Sequence, residues 1–389
     1  MIDRQRGRAL ALLVAVGCAG DATVAGNGGG SSTGTGTTGI VATTTDGEDP
    51  RTTTAASTGD DAPADTTATP TGTATSTGDD STTGGGLPLD HLCGTPAPEG
   101  AELPPAPPEY SGGTCPALQP GWNMLTSLGH AREFIVVVPS DLGEDEQLPL
   151  VFLWHWLGGD AEGFLEKADV QNAADQLRFA AVIPAEKGDL LFRWPFTAID
   201  SDARMQEEFG FFDDMLACMV ANYTIDTACI SSTGVSAGAL FTDQLGQGRG
   251  EYLSSIISLS GGVGGLVKPW NGSPHIMPAM VLWGGPSDFC VAIDFEAGSH
   301  NLEAALVEDG HPVLECVHNC GHSEPPFEPP SPELTTYAGM WRFWLDHPYW
   351  LTDGESPWNV ALPEGTPGWC AMGVGNATPR EGECNGAGC

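Results

Sequence analysis

The chain has 389 residues, 40% of them hydrophobic and 17% charged, enough for one substantial core or two modest ones. Only 14 Lys and Arg stand against 51 Asp and Glu, a formal net charge of -37. So acidic a balance argues against nucleic acid or an anionic bilayer bound through a charged face, and leaves a neutral or cationic substrate open.

The first segment reads as an export signal. Three arginines precede the apolar run Ala9–Val16, and Gly17 and Cys18 close it. The run is too short to span a bilayer, which needs roughly 20 apolar residues. Ala15-Val16-Gly17-Cys18 resembles a bacterial lipobox, so residues 1–17 are expected to be a lipoprotein-type signal and Cys18 the lipidated residue; ordinary cleavage nearby is the alternative. Membrane attachment is then expected through this anchor only. Ala19 resembles outer-membrane retention in Gram-negative bacteria, and secretion or a periplasmic location is the other expectation. Without Cys18, ten of the eleven cysteines remain, an even number that in an exported chain suggests up to five disulfides.

Residues 18–90 are almost wholly Gly, Thr, Ser, Ala and Asp, with no apolar periodicity to bury, and read as a disordered tether. Residues 91–120 are a Pro-rich strap, stapled by a Cys93–Cys115 bridge or by one to the domain. From 121 to 350, apolar runs alternate with amphipathic stretches. Strands are expected at 134–139, 148–155, 179–184, 229–234, 254–260, 279–284 and 312–316. Helices are expected at 162–177, 206–223, 237–246, 303–309 and 333–347. Strands apolar throughout and alternating with helices predict an α/β fold, a mostly parallel central sheet flanked by helices. Residues 351–389, with Cys370, Cys384 and Cys389, read as a disulfide-held, loop-rich extension.

Gly234-Val235-Ser236-Ala237-Gly238 fits G-x-S-x-G, but so does Gly30-Ser31-Ser32-Thr33-Gly34 in the tether. Context separates them, because Ser236 alone lies between an apolar strand and a helix. Such a turn lifts the hydroxyl clear of the sheet and presents the Ala237 N–H as an oxyanion donor. A serine nucleophile needs a base and an acid from later strands. Asp288 follows strand 279–284 and is preferred over Asp294. His322 has the longer loop after strand 312–316 and is preferred over His318, which sits almost on the strand. His275, His300 and His311 have no position that suggests chemistry. The second oxyanion donor is expected from His155-Trp156-Leu157-Gly158-Gly159, at the N–H of Trp156 or Leu157.

Cys316, His318, Cys320 and His322 could also be read as metal ligands, but disulfides are the stronger expectation; no metal and no cofactor is expected. A bridge from Cys290 to Cys316 or Cys320 would pin the acid loop to the histidine loop, and Cys218 with Cys229 could tie a helix to the nucleophile strand.

Through PLVFLWHWLGG, FFDDMLACMVANYTIDTACISSTGVSAGAL, LWGGPSDFCV, CGHSEPP and MWRFWLDHP, residues 130 to 347 resemble the alpha/beta hydrolases. The closer likeness is to secreted polyhydroxybutyrate depolymerases and feruloyl or acetylxylan esterases. The resemblance implies the same roles for Ser236, Asp288 and His322, and structural roles for Asp213 and Asp214. Trp156 departs from the Gly usual there, which narrows the site or adds a stacking surface. Aromatic residues around the mouth are expected to include Trp154, Trp156, Trp194, Phe196 and Trp283, with Trp156, Trp194 and Phe196 binding substrate. The expected function is ester hydrolysis on acylated polysaccharide fragments, a polyester or an aryl ester. An inactive carbohydrate-binding lipoprotein, or a peptidase or acyltransferase on the same fold, are the alternatives.

Overall fold

The computed structural model describes residues 91–384 and Cys389; the export signal, Cys18 and the tether lie outside the described residues. The elements run β1 (Gly121–Ser127), β2 (His130–Val137), β3 (Leu148–Trp154), α1 (Ala161–Lys167), α2 (Val170–Leu177), β4 (Ala180–Pro184), α3 (Asp202–Asn222) and β5 (Ile225–Val235). They continue with α4 (Ala237–Gly248), β6 (Ser255–Leu259), β7 (Ala279–Trp283), β8 (Phe289–Cys290), β9 (Ile293–Asp294), α5 (Phe295–Glu308), β10 (Val313–Val317), α6 (Ala338–Leu345) and β11 (Cys370–Met372). Among the described residues no helix is long and apolar enough to cross a membrane.

Nine strands form one sheet in the order β1-β2-β4-β3-β5-β6-β7-β10-β11. The six from β4 to β10 in that order are parallel, and β1, β2 and β11 are antiparallel at the edges. The apolar runs are continuous because both faces are covered. In β3, Leu150, Phe152 and Trp154 pack towards α3, α4 and α5, while Val151 and Leu153 pack towards α1, α2 and α6.

Several boundaries differ from the sequence expectation for local reasons. The helix expected over 162–177 is two, because Asp169 takes a left-handed backbone (φ 49°). Asp tolerates that region better than most residues, and the break lets Phe164 and Leu177 both reach the core. Helix α5 begins earlier than expected, at Phe295, because the Asp294 side chain caps it by accepting the Ala297 N–H at 3.0 Å. Strand β1, unexpected from its mixed composition, alternates exposed and buried residues along the sheet edge.

The strap is bridged to the domain, the second of its two expected arrangements, rather than by Cys93–Cys115, and the suggested Cys218–Cys229 and Cys290–Cys316 or Cys290–Cys320 pairs do not form. Cys93 joins Cys229 and Cys115 joins Cys218, so the strap is stapled to β5 and α3. Cys316–Cys370, Cys320–Cys384 and Cys290–Cys389 hold the C-terminal extension against the loops after β7 and β10. Asp213 and Asp214 are structural: Asp213 pairs with Arg249 Nε at 2.7 Å, and Asp214 accepts the N–H and hydroxyl of Ser111, both at 2.7 Å.

Two buried carboxyls make stability pH-dependent. Burial, helped by the charge of Glu315, pushes Glu303 up to about 8, and burial pushes Asp243 up to about 7. Both therefore hold a proton in the folded chain where the unfolded chain has lost it, so stability falls as pH rises from about 4.5 to about 8. Glu303→Gln is expected to gain thermal stability over the wild type at pH 8 but not at pH 4. Thermal unfolding at the two pH values checks this, and an equal difference at both would contradict it.

Candidate active site

Ser236 sits where β5 passes into α4, with backbone angles φ 54° and ψ -117°. A non-glycine residue held there costs about 1–3 kcal/mol, so the surroundings must impose it. They do so through close packing on both sides. A Cβ on Gly234 would stand 2.1 Å from the Gly238 carbonyl oxygen, and one on Gly238 would stand 2.0 Å from the Trp154 carbonyl oxygen. The Ser236 N–H donates to the Leu259 carbonyl at 2.8 Å, which ties the turn to β6. Gly238→Ala is expected to destabilise the chain by about 3 kcal/mol or more, since the clash is with backbone. Gly158→Ala meets nothing within 4 Å and serves as the control in thermal unfolding.

The loops after β7 and β10 bring the two partners. The 3-10 turn Gly285–Ser287 delivers Asp288, whose Oδ2 accepts the Ser260 hydroxyl at 2.8 Å and the Gly284 N–H at 2.7 Å. Oδ1 lies 2.6 Å from His322 Nδ1, and His322 Nε2 lies 2.8 Å from Ser236 Oγ. A carboxylate only accepts, so Nδ1 carries the ring proton and Nε2 offers its lone pair to the serine. The Phe295 ring stacks on the imidazole at 4.1 Å. The histidine loop is held by Gly321 N–H to the Gly284 carbonyl (2.9 Å) and by Cys389 N–H to the His322 carbonyl (3.1 Å). Cys290, two residues after Asp288, and Cys320, two before His322, are both bridged to the C-terminal extension, which thus links the two loops covalently.

The rival residues lie elsewhere. Asp294 is the cap of α5, and His318 is buried, its Nδ1 accepting the Cys320 N–H; burial lowers its pKa to about 4. Cys316 and Cys320 are disulfide-bonded and so offer no thiolate to a metal. His275 stacks on Tyr349, His311 Nδ1–H donates to the Met277 carbonyl, and His300 contacts Glu303.

Ser236 and His322 open onto a cavity of about 430 Å³ whose walls include Phe164, Val235, Leu259, Leu282, Val291 and Met340. Trp156, Leu157 and Gly158 from the turn after β3 line it too. The Trp156 ring lies where a Cβ on Gly159 would come within 2.5 Å, so Gly159 makes room for it, and Lys167 Nζ stands 4.8 Å over the ring. Ala237, the first residue of α4, lines a smaller adjoining cavity with Phe192 and Phe196.

One of the expected substrate-binding aromatics is a core residue instead. Trp194 is fully buried and lines neither cavity; it packs on Trp154 and Phe241 and donates its Nε1–H to the His155 carbonyl. Phe196 is also fully buried, although its edge borders the smaller cavity. Trp154 and Trp283, expected at the mouth, are likewise buried. The sequence reading missed Ser260, whose hydroxyl on Asp288 has no local pattern, and His155, whose Nδ1–H donates to the Trp156 carbonyl. Burial holds the His155 pKa below its ordinary range.

A mostly parallel sheet with helices on both faces, and a serine at a strained strand-to-helix turn followed by an acid loop and a histidine loop, has the alpha/beta hydrolase fold. No protein-family model matches the chain. It is similar to feruloyl esterase D of Neurospora crassa, 25% identical over 159 residues that cover 40% of this chain and 54% of that protein. The chain thus spans about half the length of this curated relative. Among solved structures it resembles native pOPH, with a TM-score of 0.52 at 17% identity over 67% of this chain and 97% of that one. Native sOPH is similar, with a TM-score of 0.50 at 17% identity over 68% and 99%. At such identity the likeness is one of fold.

Proposed function

We propose that the chain is an exported serine esterase in which Ser236 is the nucleophile, His322 the base and Asp288 the residue that orients the base and stabilises its charged form. The observation that carries this reading is the unbroken hydrogen-bond series from Asp288 through His322 to Ser236 at the wall of an apolar cavity. Ser236 Oγ attacks the ester carbonyl as His322 Nε2 takes its proton. The oxyanion is held by the Ala237 N–H and an N–H of the 156–157 turn. Collapse breaks the acyl–oxygen bond, and His322 protonates the departing alkoxide. Water then attacks the acyl-enzyme, losing its proton to His322, and Ser236 is released.

The apolar walls and the Trp156 ring suit an aryl or alkyl ester group, and acylated polysaccharide fragments or a polyester carry such groups in neutral polymers. Five disulfides support export to an oxidising compartment. An anchor at Cys18 would then hold the enzyme at the outer membrane or cell surface, with no role for nucleic acid. Aryl esters of short acids and of cinnamic-type acids, with the matched amides, test the reading on the full chain. Ester turnover with far weaker amide turnover is expected. A folded chain that hydrolyses no ester and takes up no fluorophosphonate would overturn it in favour of a binding protein.

A further inference from the structure

The turn after β3 is held from behind by side chains outside the Ser236–His322–Asp288 series. Three consecutive carbonyls each accept from one of them. Trp194 Nε1–H donates to His155 O at 2.9 Å, His155 Nδ1–H to Trp156 O at 3.0 Å, and Arg193 Nε–H to Leu157 O at 3.1 Å. Glu186 accepts from Arg193 Nη1 at 2.7 Å, which fixes the guanidinium behind the turn, and its other carboxylate oxygen stands 3.1 Å from His155 Nε2. No cis peptide bond occurs among the described residues, and in a trans peptide the C=O and the following N–H point opposite ways. Holding the carbonyls of 155, 156 and 157 therefore sets the directions of the Trp156, Leu157 and Gly158 N–H groups. Those three residues line the cavity beside Ser236.

We propose that Arg193 is a positioning residue for the oxyanion-binding turn, acting on the Leu157 carbonyl and so on the conformation of the residue whose own N–H is a candidate oxyanion donor. The inference rests on the esterase reading above. Oxyanion donors act by being aimed in advance at the position where charge develops, so a rotated peptide plane weakens the transition state more than the bound ester. The planar guanidinium suits the task because Nε and Nη1 diverge at a fixed angle, one to a carbonyl and one to a carboxylate. A lysine ammonium cannot reproduce that fork. The chain tolerates a left-handed backbone at Arg193 (φ 72°), a conformation costly for any residue but glycine. Its side chain is 37% exposed and lines neither cavity, so its loss opens no void in the core and removes no contact with substrate.

The test uses Arg193→Met and Arg193→Lys in the full chain, with active sites counted by fluorophosphonate labelling carried to completion. Per labelled site, kcat for an aryl ester is expected to fall about 10- to 100-fold in both variants, with KM within about twofold. Inhibition by a trifluoromethyl ketone, a mimic of the tetrahedral intermediate, is expected to weaken by the same factor as kcat/KM. Unchanged kcat and ketone inhibition in either variant would overturn the inference, as would a loss explained wholly by fewer labelled sites or rescued fully by lysine. A wild-type chain that neither labels nor hydrolyses would instead overturn the esterase reading, so the two failures are distinguishable.

Discussion

Ser236→Ala is expected to lower kcat/KM for an aryl ester by about 10⁴- to 10⁶-fold and to abolish fluorophosphonate uptake. The size follows from what the hydroxyl does. With Oγ gone, His322 Nε2 has no proton to take, no acyl-enzyme forms, and only the oxyanion donors and the cavity remain to favour attack by water. Stability should not fall. The Ser236 side chain makes one hydrogen bond, to His322, and alanine relieves none of the turn's packing while leaving the Ser236-position N–H on Leu259 O intact. A melting temperature within a few degrees of wild type, with activity lost, separates chemistry from folding. Residual turnover above about 1% of wild type would place the nucleophile elsewhere.

Asp288→Asn is expected to cost about 10⁴-fold in kcat with little change in KM. The geometry gives the mechanism. One carboxylate oxygen accepts from both Ser260 and Gly284, and the other faces His322 Nδ1. An asparagine that keeps its carbonyl on the Ser260 and Gly284 donors must point its NH₂ at Nδ1. That ring nitrogen then has to accept, so the proton moves to Nε2, where it can no longer take the proton from Ser236. Steady-state kinetics with the rate of fluorophosphonate labelling would show it: both should fall together. A variant retaining a tenth of wild-type kcat would contradict the orienting role of Asp288.

How much of this was legible in the sequence depends on whether the physics is local. The Ser236 turn is local: two glycines, a strand before and a helix after, and the structure shows both glycines pressed against backbone. Asp288 and His322 are legible because a parallel sheet puts the ends of its strands on one edge, so loops after later strands converge near the first. The parallel strands were readable from continuous apolar runs alternating with amphipathic helices, as a sheet covered on both faces requires, whereas the edge strands β1 and β11 were not.

What failed depends on long-range packing. A tryptophan in a loop reads the same whether it faces a cleft or a core, and only the placement of α4 beneath the 185–201 loop makes Trp194 a core residue that holds a backbone carbonyl. The expected Cys290–Cys316 or Cys290–Cys320 pairing failed because the C-terminal extension folds back as β11 and onto the loops after β7 and β10, which no spacing in the chain announces. Arg193 was invisible for a related reason, since capture of a carbonyl 36 positions away leaves no pattern at either end.

The most direct test of the central claim is to mix the full chain with an excess of a slowly deacylating aryl ester, quench in acid within the first turnovers, and map the peptides by mass spectrometry. The acyl mass is expected on the peptide joining β5 to α4, localised to Ser236, with a burst of one aryl alcohol per active site. Turnover with no acyl adduct, or with the adduct on another residue, would contradict it.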